Sequence, residues 1–237
     1  MMMTKNTSFD AVEHFSEKHA NIYDDKIQKV ILGYKQMHEL AYYILKDNLE
    51  NRASILISGI GTGHEAITYA EPQKEWSIYG VDPSEEMVRN AQQKIQHKSL
   101  SQQIDVFHGT VNDIQKNNFD AATSILVMQF LEDNGDKEAY LSNIFNKLKV
   151  GAKFILIDIE GDKNSEEYRF LLSAWKCHQY STRNNKEQID KDFDHVSSDV
   201  QSISAERIHE LLYKVGFSKT YKFYKSLLFG GYVAEKL

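Results

Sequence analysis

The sequence predicts an α/β protein built on a doubly wound, mostly parallel sheet that ends in an antiparallel C-terminal hairpin. Three observations carry this expectation. Short β-branched runs alternate with segments of helical length and helical apolar spacing from residue 54 to about 160. A glycine-rich turn, "GIGTG" at 59–63, follows the first of those runs. The last two strand-like runs are joined too closely for a helical crossover.

The elements follow in order. "IQKVILGYKQMHELAYYILKDNL" places Ile27, Val30, Ile31, Tyr34, Met37, Leu40, Ala41 and Ile44 at helical spacing. "SILIS" is a buried strand, and "HEAITYAEP" opens a helix that stops near Pro72. "WSIYGVD" is a second strand, followed by a helix from "PSEEMVRNAQQKIQH" with Ser84 as its N-cap and acids in its first turn. "IDVFHG" is the third strand, and "FDAATSILVMQF" is a fourth that leads toward a helix reaching "YLSNIFNKLKV". Gly151 is expected to end that helix before a fifth strand, "KFILIDI". After the helix "AERIHELLYKVGF", two strands share a short link expected near Gly230 and Gly231.

Between the fifth strand and the last helix lie residues 161–204, too long for an ordinary connection and read as a helical insertion or lid. The whole is expected to form a single domain over 1–237. It comprises an N-terminal helical cap (1–50), a ligand-binding core (51–160), the lid (161–204), and a C-terminal helix with its hairpin (205–237).

Bulk properties exclude several classes. The formal net charge of −6 gives no electrostatic reason to expect nucleic acid. Cys177 is the sole cysteine, so an internal disulfide and a cysteine-rich zinc site are both ruled out, and a reducing, cytoplasmic setting is expected. No apolar run approaches the roughly 20 residues that span a bilayer. His14, His19, His38 and His64 show no metal-ligand spacing, so no metal is expected.

The chemistry is expected beyond the carboxyl ends of the strands, where open α/β sheets bind ligands. Gly59, Gly61 and Gly63 allow a close backbone approach there, and Asp82 ends the second strand about 20 residues on, where a carboxylate can accept both ribose hydroxyls. The alternative is a tight turn and a helix cap without a ligand. A dinucleotide fingerprint would run Gly-x-Gly-x-x-Gly, whereas His64 stands at the third glycine's place here. Asp158 ends the fifth strand beside the expected substrate cleft, as a candidate to take a proton. Trp175 and His178 share a helical face within the insertion, and Tyr23 and Gln129 are further pocket candidates.

At this point the chain resembles the class I S-adenosylmethionine-dependent methyltransferases, whose fold is Rossmann-like. "ILISGIGTG" resembles that family's first motif, "YGVDPSEEMV" its second, "HGTVND" its third and "FDAATSILVMQFLED" its fourth, with "LKVGAKFILID" leading into strand five. Within the superfamily, "IQKVILGY", "MQFLE", "LYKVGF" and "LLFGGYVAEK" are similar to the carboxy-S-adenosylmethionine synthases of tRNA wobble-uridine modification.

The resemblance implies S-adenosylmethionine as cofactor and a set of contacts. Gly59, Ile60 and Gly61 would lie along its methionine and sugar through their backbone, and Asp82 would take the ribose hydroxyls. Pro83 and Met87 would flank the adenine, and Thr110 and Val111 would meet its edge. Ile125 would offer backbone groups to the amino-acid end, and Tyr34 would reach in from the N-terminal helices. The chain departs from the family at Ile57, where an acid usually helps hold the cofactor's ammonium, and at Thr110, where an acid usually meets the adenine amino group. Glu65 or a lid residue is a candidate to compensate. Leu211 stands where the synthase-like branch carries an arginine, with Arg207 one turn away. Methyl transfer to a small-molecule acceptor is the expected function. A carboxy-S-adenosylmethionine synthase and a non-catalytic cofactor-binding partner protein are the alternatives, and the oligomeric state is left open.

Overall fold

A computed structural model describes residues 23–237. Two helices, α1 (Tyr23–Val30) and α2 (Tyr34–Asn48), precede the alternation β1 (Ser54–Ser58), α3 (His64–Ala70), β2 (Ser77–Asp82), α4 (Glu85–His97), β3 (Ile104–His108) and β4 (Phe119–Ile125). Then come α5 (Asp136–Lys147), β5 (Leu148–Ile159), α6 (Glu166–Thr182), α7 (Lys186–Asp199), α8 (Ala205–Val215), β6 (Phe217–Ser226) and β7 (Phe229–Lys236). The seven strands run in the order β3-β2-β1-β4-β5-β7-β6. The pairs among the first five are parallel, and β7 lies antiparallel to both β5 and β6. This is the expected doubly wound sheet with its hairpin at one edge.

Side-chain alternation sorts the core into two layers. Ile55, Ile57, Ile155 and Ile157 face α1, α2, α3, α4, α6 and α7, while Leu56, Phe154 and Leu156 face α5 and α8. Both faces are buried, as parallel strands require. The apolar spacing of the N-terminal segment is divided at Gly33, whose φ of 85° separates α1 from α2. Ser84 caps α4 as expected, its Oγ accepting the Met87 N–H at 3.3 Å.

Two boundaries differ from expectation. Helix α5 ends at Lys147, and Gly151, with φ 82°, sits inside β5, where the register against β4 shifts between Phe119 and Ala121. It serves a bulge, not a helix end. The hairpin turns at Leu227 and Leu228, so Gly230 and Gly231 fall within β7. A Cβ on Gly230 would stand 2.1 Å from the Glu160 carboxylate, and one on Gly231 would meet Tyr224 at 2.9 Å. These glycines admit neighbouring side chains into the sheet.

Candidate functional site

The turn after β1 curls back over the end of β2. The N–H groups of Gly59 and Ile60 both donate to the Val81 carbonyl at 2.9 Å. Each glycine in the turn has a different reason to be one. A Cβ on Gly59 would strike Val127 at 2.3 Å, so this glycine lets the segment after β4 close over the turn. A Cβ on Gly61 would meet nothing within 4 Å, because it faces open space. A Cβ on Gly63 would stand 3.3 Å from Ala91 of α4. All three have positive φ, which glycine adopts without the strain of a side chain.

Asp82 closes this arrangement. Its Oδ2 accepts the Gly61 N–H at 2.9 Å and its Oδ1 the Ser84 N–H at 3.0 Å. Burial pushes its pKa up, while the two backbone donors pull it down. Beside it opens a cavity of about 280 Å³, here the loop cavity. Of the sequence-predicted residues, Gly59, Gly61, Asp82, Pro83, Met87, Thr110, Val111 and Ile125 line it. The carboxyl ends of β1, β2 and β4 thus converge on one ligand-sized space.

Three predicted residues do not line it, Ile60 among them having been expected to act through its backbone. The Ile60 side chain packs over Gly80, Gly63 contacts α4, and the Tyr34 ring sits 4.7 Å from His38 and 5.6 Å from His64. Ile57 faces the core layer, and Glu65 is buried, with Thr123 and Tyr69 as the polar groups that face it. Burial pushes the Glu65 carboxyl up to about 7, and it lines neither this cavity nor the next. Thr110 caps a short 3₁₀ turn with Asp113, whose Oδ2 accepts both the N–H and the hydroxyl of Thr110.

Sequence reasoning missed a hydroxyl chain at the cavity floor. Tyr140 of α5 lines the loop cavity, donates to Ser58 Oγ at 2.8 Å, and lies 2.7 Å from Ser124 Oγ. Ser58 directly precedes Gly59, so its place was readable. Tyr140 carried no local signal, because only the α5 crossover brings it there.

A second space of about 310 Å³, here the cap cavity, lies beneath α1, α6 and α7. Gln129 and Trp175 line it as expected, and His178 does not. Tyr23 begins α1, but its side chain lies outside the described residues. Leu126 and Phe130 line both cavities and form the seam between them. Leu126 has a φ of 62°, a left-handed conformation that a leucine adopts only at a cost in strain.

His195 of α7 also lines the cap cavity, with Nδ1 against the Asp199 carboxylate one turn on. The i, i+4 spacing in "DHVSSD" was a signal for this pair. The cavity mouth is laced by Asp192, which receives Lys26 and Arg183, each at 2.8 Å.

Asp158 is not beside this cleft. Strand alternation turns it toward α5, where it is buried near the Lys137 ammonium and lines neither cavity. Burial pushes its pKa up, against the pull of Lys137 and of the amides of Gln129 and Val127. Neither of its oxygens makes a hydrogen bond of normal geometry, so that pull acts at longer range. Lys137 itself donates to the Met128 carbonyl at 2.7 Å. Asp158 therefore underlies the 126–130 segment instead of facing a substrate. Glu160 is likewise taken up, by Lys222, Lys225 and Tyr232.

Among the described residues, no three His, Cys, Asp or Glu side chains gather as a metal site, and no helix is long and apolar enough to cross a membrane.

Known proteins are similar to this chain in sequence and in fold. The sequence model of a methyltransferase domain matches residues 55–151. A carboxy-S-adenosyl-L-methionine synthase of Staphylococcus epidermidis is 23% identical over 222 residues, which cover 93% of this chain and 95% of that protein. Its counterpart from Alteromonas mediterranea is also 23% identical, with 94% and 92% covered. Among solved structures, magnesium protoporphyrin IX methyltransferase of Synechocystis, with S-adenosylhomocysteine bound, superimposes with a TM-score of 0.70 at 16% identity, over 95% of this chain and 98% of that one. The [4+2]-cyclase SpnF shares the fold at a TM-score of 0.60 and 14% identity, over 84% and 80% of the two chains, and its named reaction is no methylation. The domain match begins in β1 and ends in β5, so the stretch that is similar to a methyltransferase domain spans the glycine turn, Asp82 and the seam residues together.

Proposed function

We propose that the loop cavity holds S-adenosylmethionine and that the methyl acceptor is a small molecule held in the cap cavity. The observation that carries this reading is the seam: two ligand-sized spaces share the Leu126 and Phe130 side chains. The cofactor supplies an electrophilic methyl carbon on a sulfonium, and the protein supplies position and exclusion of water.

The residues present suit that group. Asp82 offers a carboxylate at the cavity wall for the ribose hydroxyls, and Gly61 leaves the adjoining space clear. Pro83, Met87, Thr110 and Val111 form the wall for the adenine, with Ile125 toward the amino-acid end. Ser58 and Tyr140 add hydroxyls at the floor, polar groups near which Ile57 offers none. In the cap cavity, the Asp199 carboxylate against Nδ1 orients the His195 imidazole. His195 is thus our candidate to take the acceptor's proton, the role expected of Asp158. A cytoplasmic location fits the single exposed cysteine.

The test is binding followed by transfer. Calorimetry should find S-adenosylmethionine and S-adenosylhomocysteine bound; silence from both at millimolar concentration would sink the reading. Methyl-labelled cofactor should then mark the small-molecule filtrate of a cell extract, and label appearing only in RNA would overturn the acceptor class.

The names of the relatives favour a second reading, a carboxy-S-adenosylmethionine synthase. Against it, Leu211 is buried in the α5–α8 core layer, and Arg207 is held by Asp133 and Glu210 and lines neither cavity. A carboxylated cofactor found in the purified protein by mass spectrometry would reverse this preference.

A further inference from the structure

The nitrogen donors that line the cap cavity are engaged with protein, with one exception among the described residues. Trp175 Nε1 donates to the Val30 carbonyl at 2.7 Å. Lys26 and Gln188 both bond to Asp192 Oδ1, at 2.8 and 3.1 Å, Lys191 pairs with Glu187 at 2.8 Å, and His195 lies against Asp199.

Gln129 is the exception. It is only 6% exposed, and its Oε1 accepts the Ile159 N–H at 3.0 Å. A backbone N–H can only donate, so the amide oxygen must face Ile159; a flipped amide would set donor against donor. The NH2 group is thereby turned away from β5, and Nε2 has no hydrogen-bond partner among the described residues. The residue is also held firmly. Its carbonyl accepts the Gln201 N–H at 2.6 Å, the Leu126 N–H donates to Ile157 at 2.7 Å, and Lys137 fixes the Met128 carbonyl. A rigid, largely buried donor beside apolar walls is a recognition group awaiting an acceptor.

We propose that Gln129 Nε2 is the recognition donor of the cap cavity, and that the molecule methylated there is an uncharged, largely apolar ring compound bearing a carbonyl, ether or hydroxyl oxygen near the reacting atom. The proposal rests on the methyltransferase reading above. Ile27, Ile31, Trp175, Val200 and Phe229 give the apolar walls, and a volume of about 310 Å³ suits a small ring system. Among the described residues, Lys26 and Lys191 at this cavity are paired with Asp192 and Glu187, so neither is assigned to an anionic substrate. Gln129 adjoins Phe130 at the seam, so the oxygen it binds belongs to the end nearest the loop cavity.

The test uses a matched pair of probes, acetophenone and α-methylstyrene, which differ by C=O against C=CH2, with benzoate as the charged comparison. Affinities are measured by ligand-observed NMR on the full chain, with and without S-adenosylhomocysteine. The wild type should favour the ketone over the alkene by about tenfold, the worth of one well-placed hydrogen bond. Benzoate should bind more weakly than the ketone. Gln129→Leu should bring the ratio to about one by weakening the ketone alone; Gln129→Met serves if the leucine variant does not fold. Equal affinity of the pair in the wild type, absence of binding by both, tightest binding by benzoate, or an unchanged ratio in the variant would each overturn the proposal. S-adenosylhomocysteine is titrated separately. Its failure to bind strikes the cofactor reading, while the ketone-to-alkene ratio still judges Gln129.

Discussion

Asp82 shows how much one side chain can state in advance. An acid at the end of a second parallel strand, behind a glycine turn, has few reasons to be there; one of its oxygens holds that turn through Gly61 and the other holds Ser84 at the start of α4. Asp82→Asn keeps one acceptor but sets an NH2 against one of the two backbone donors. It should weaken S-adenosylhomocysteine binding by roughly 10–100-fold in calorimetry. Gly59 allows a sharper test, since its missing Cβ makes room for Val127. Gly59→Ala should lower the melting temperature markedly, and adding Val127→Ala should restore part of the loss. If Val127→Ala gives no rescue, the clash is not the cause.

Glu65 offers a test in pH. Its carboxyl is raised from 4.5 to about 7 by burial, so the folded state holds a proton that the unfolded chain releases first. The stability it contributes is complete below about pH 4.5 and is lost as pH rises to about 7, by roughly 3 kcal/mol at most. Urea midpoints at pH 5 and pH 8 should therefore differ less in Glu65→Gln than in the wild type. Its burial was not readable from "GHEA", because a first-turn glutamate ordinarily faces solvent.

At the scale of elements, the β-branched runs and the caps were plain in the sequence, and the glycines misled. Gly151 followed a helical period and read as a helix stop. The chain leaves helical geometry three residues earlier, at Leu148, and the glycine serves a bulge. Gly230 and Gly231 read as a turn, yet they make room for Glu160 and Tyr224 inside β7. A glycine marks a backbone exception without naming which one it is.

Helices α6 and α7 were legible as an insertion, but their closure over α1 was not. It depends on Asp192, which joins Lys26 of α1 to Arg183 just beyond α6. Removing this half-buried hub with Asp192→Ala should make local opening of α7 easier by about 1–2 kcal/mol. Hydrogen exchange should quicken across Lys186–Asp199 while β1 and β4 stay protected. Uniform quickening would mean that the hub supports the whole fold.

For the molecule as a whole, crossovers of helical length dictate neighbouring parallel strands, so the sheet was largely determined before any coordinates. The division of space around residues 126–130 was not. It arises where a strained Leu126, the buried Asp158 and helices from distant parts of the chain meet. The same distance explains why Asp158 was expected at the cleft: its strand position was right, and its facing depended on a parity that the ragged start of β5 obscured. If the loop cavity binds its ligand only in the folded state, S-adenosylhomocysteine at about 100 times its Kd should stabilise the chain by about 2.7 kcal/mol and raise the melting temperature by roughly 5–10 °C. An unmoved melting temperature at that excess would contradict binding at a preformed site.

Helix α6 carries Trp175 in the cavity wall and, two residues on, the exposed thiol of Cys177. The only other tryptophan, Trp76, is buried away from both cavities. The chain is thus supplied with optical probes of its own. Indole emission from Trp175 reports on filling of the cap cavity over a steady background from Trp76. A single dye on Cys177 watches the outer face of the same helix, so occupancy and helix motion can be followed separately in one unmutated sample.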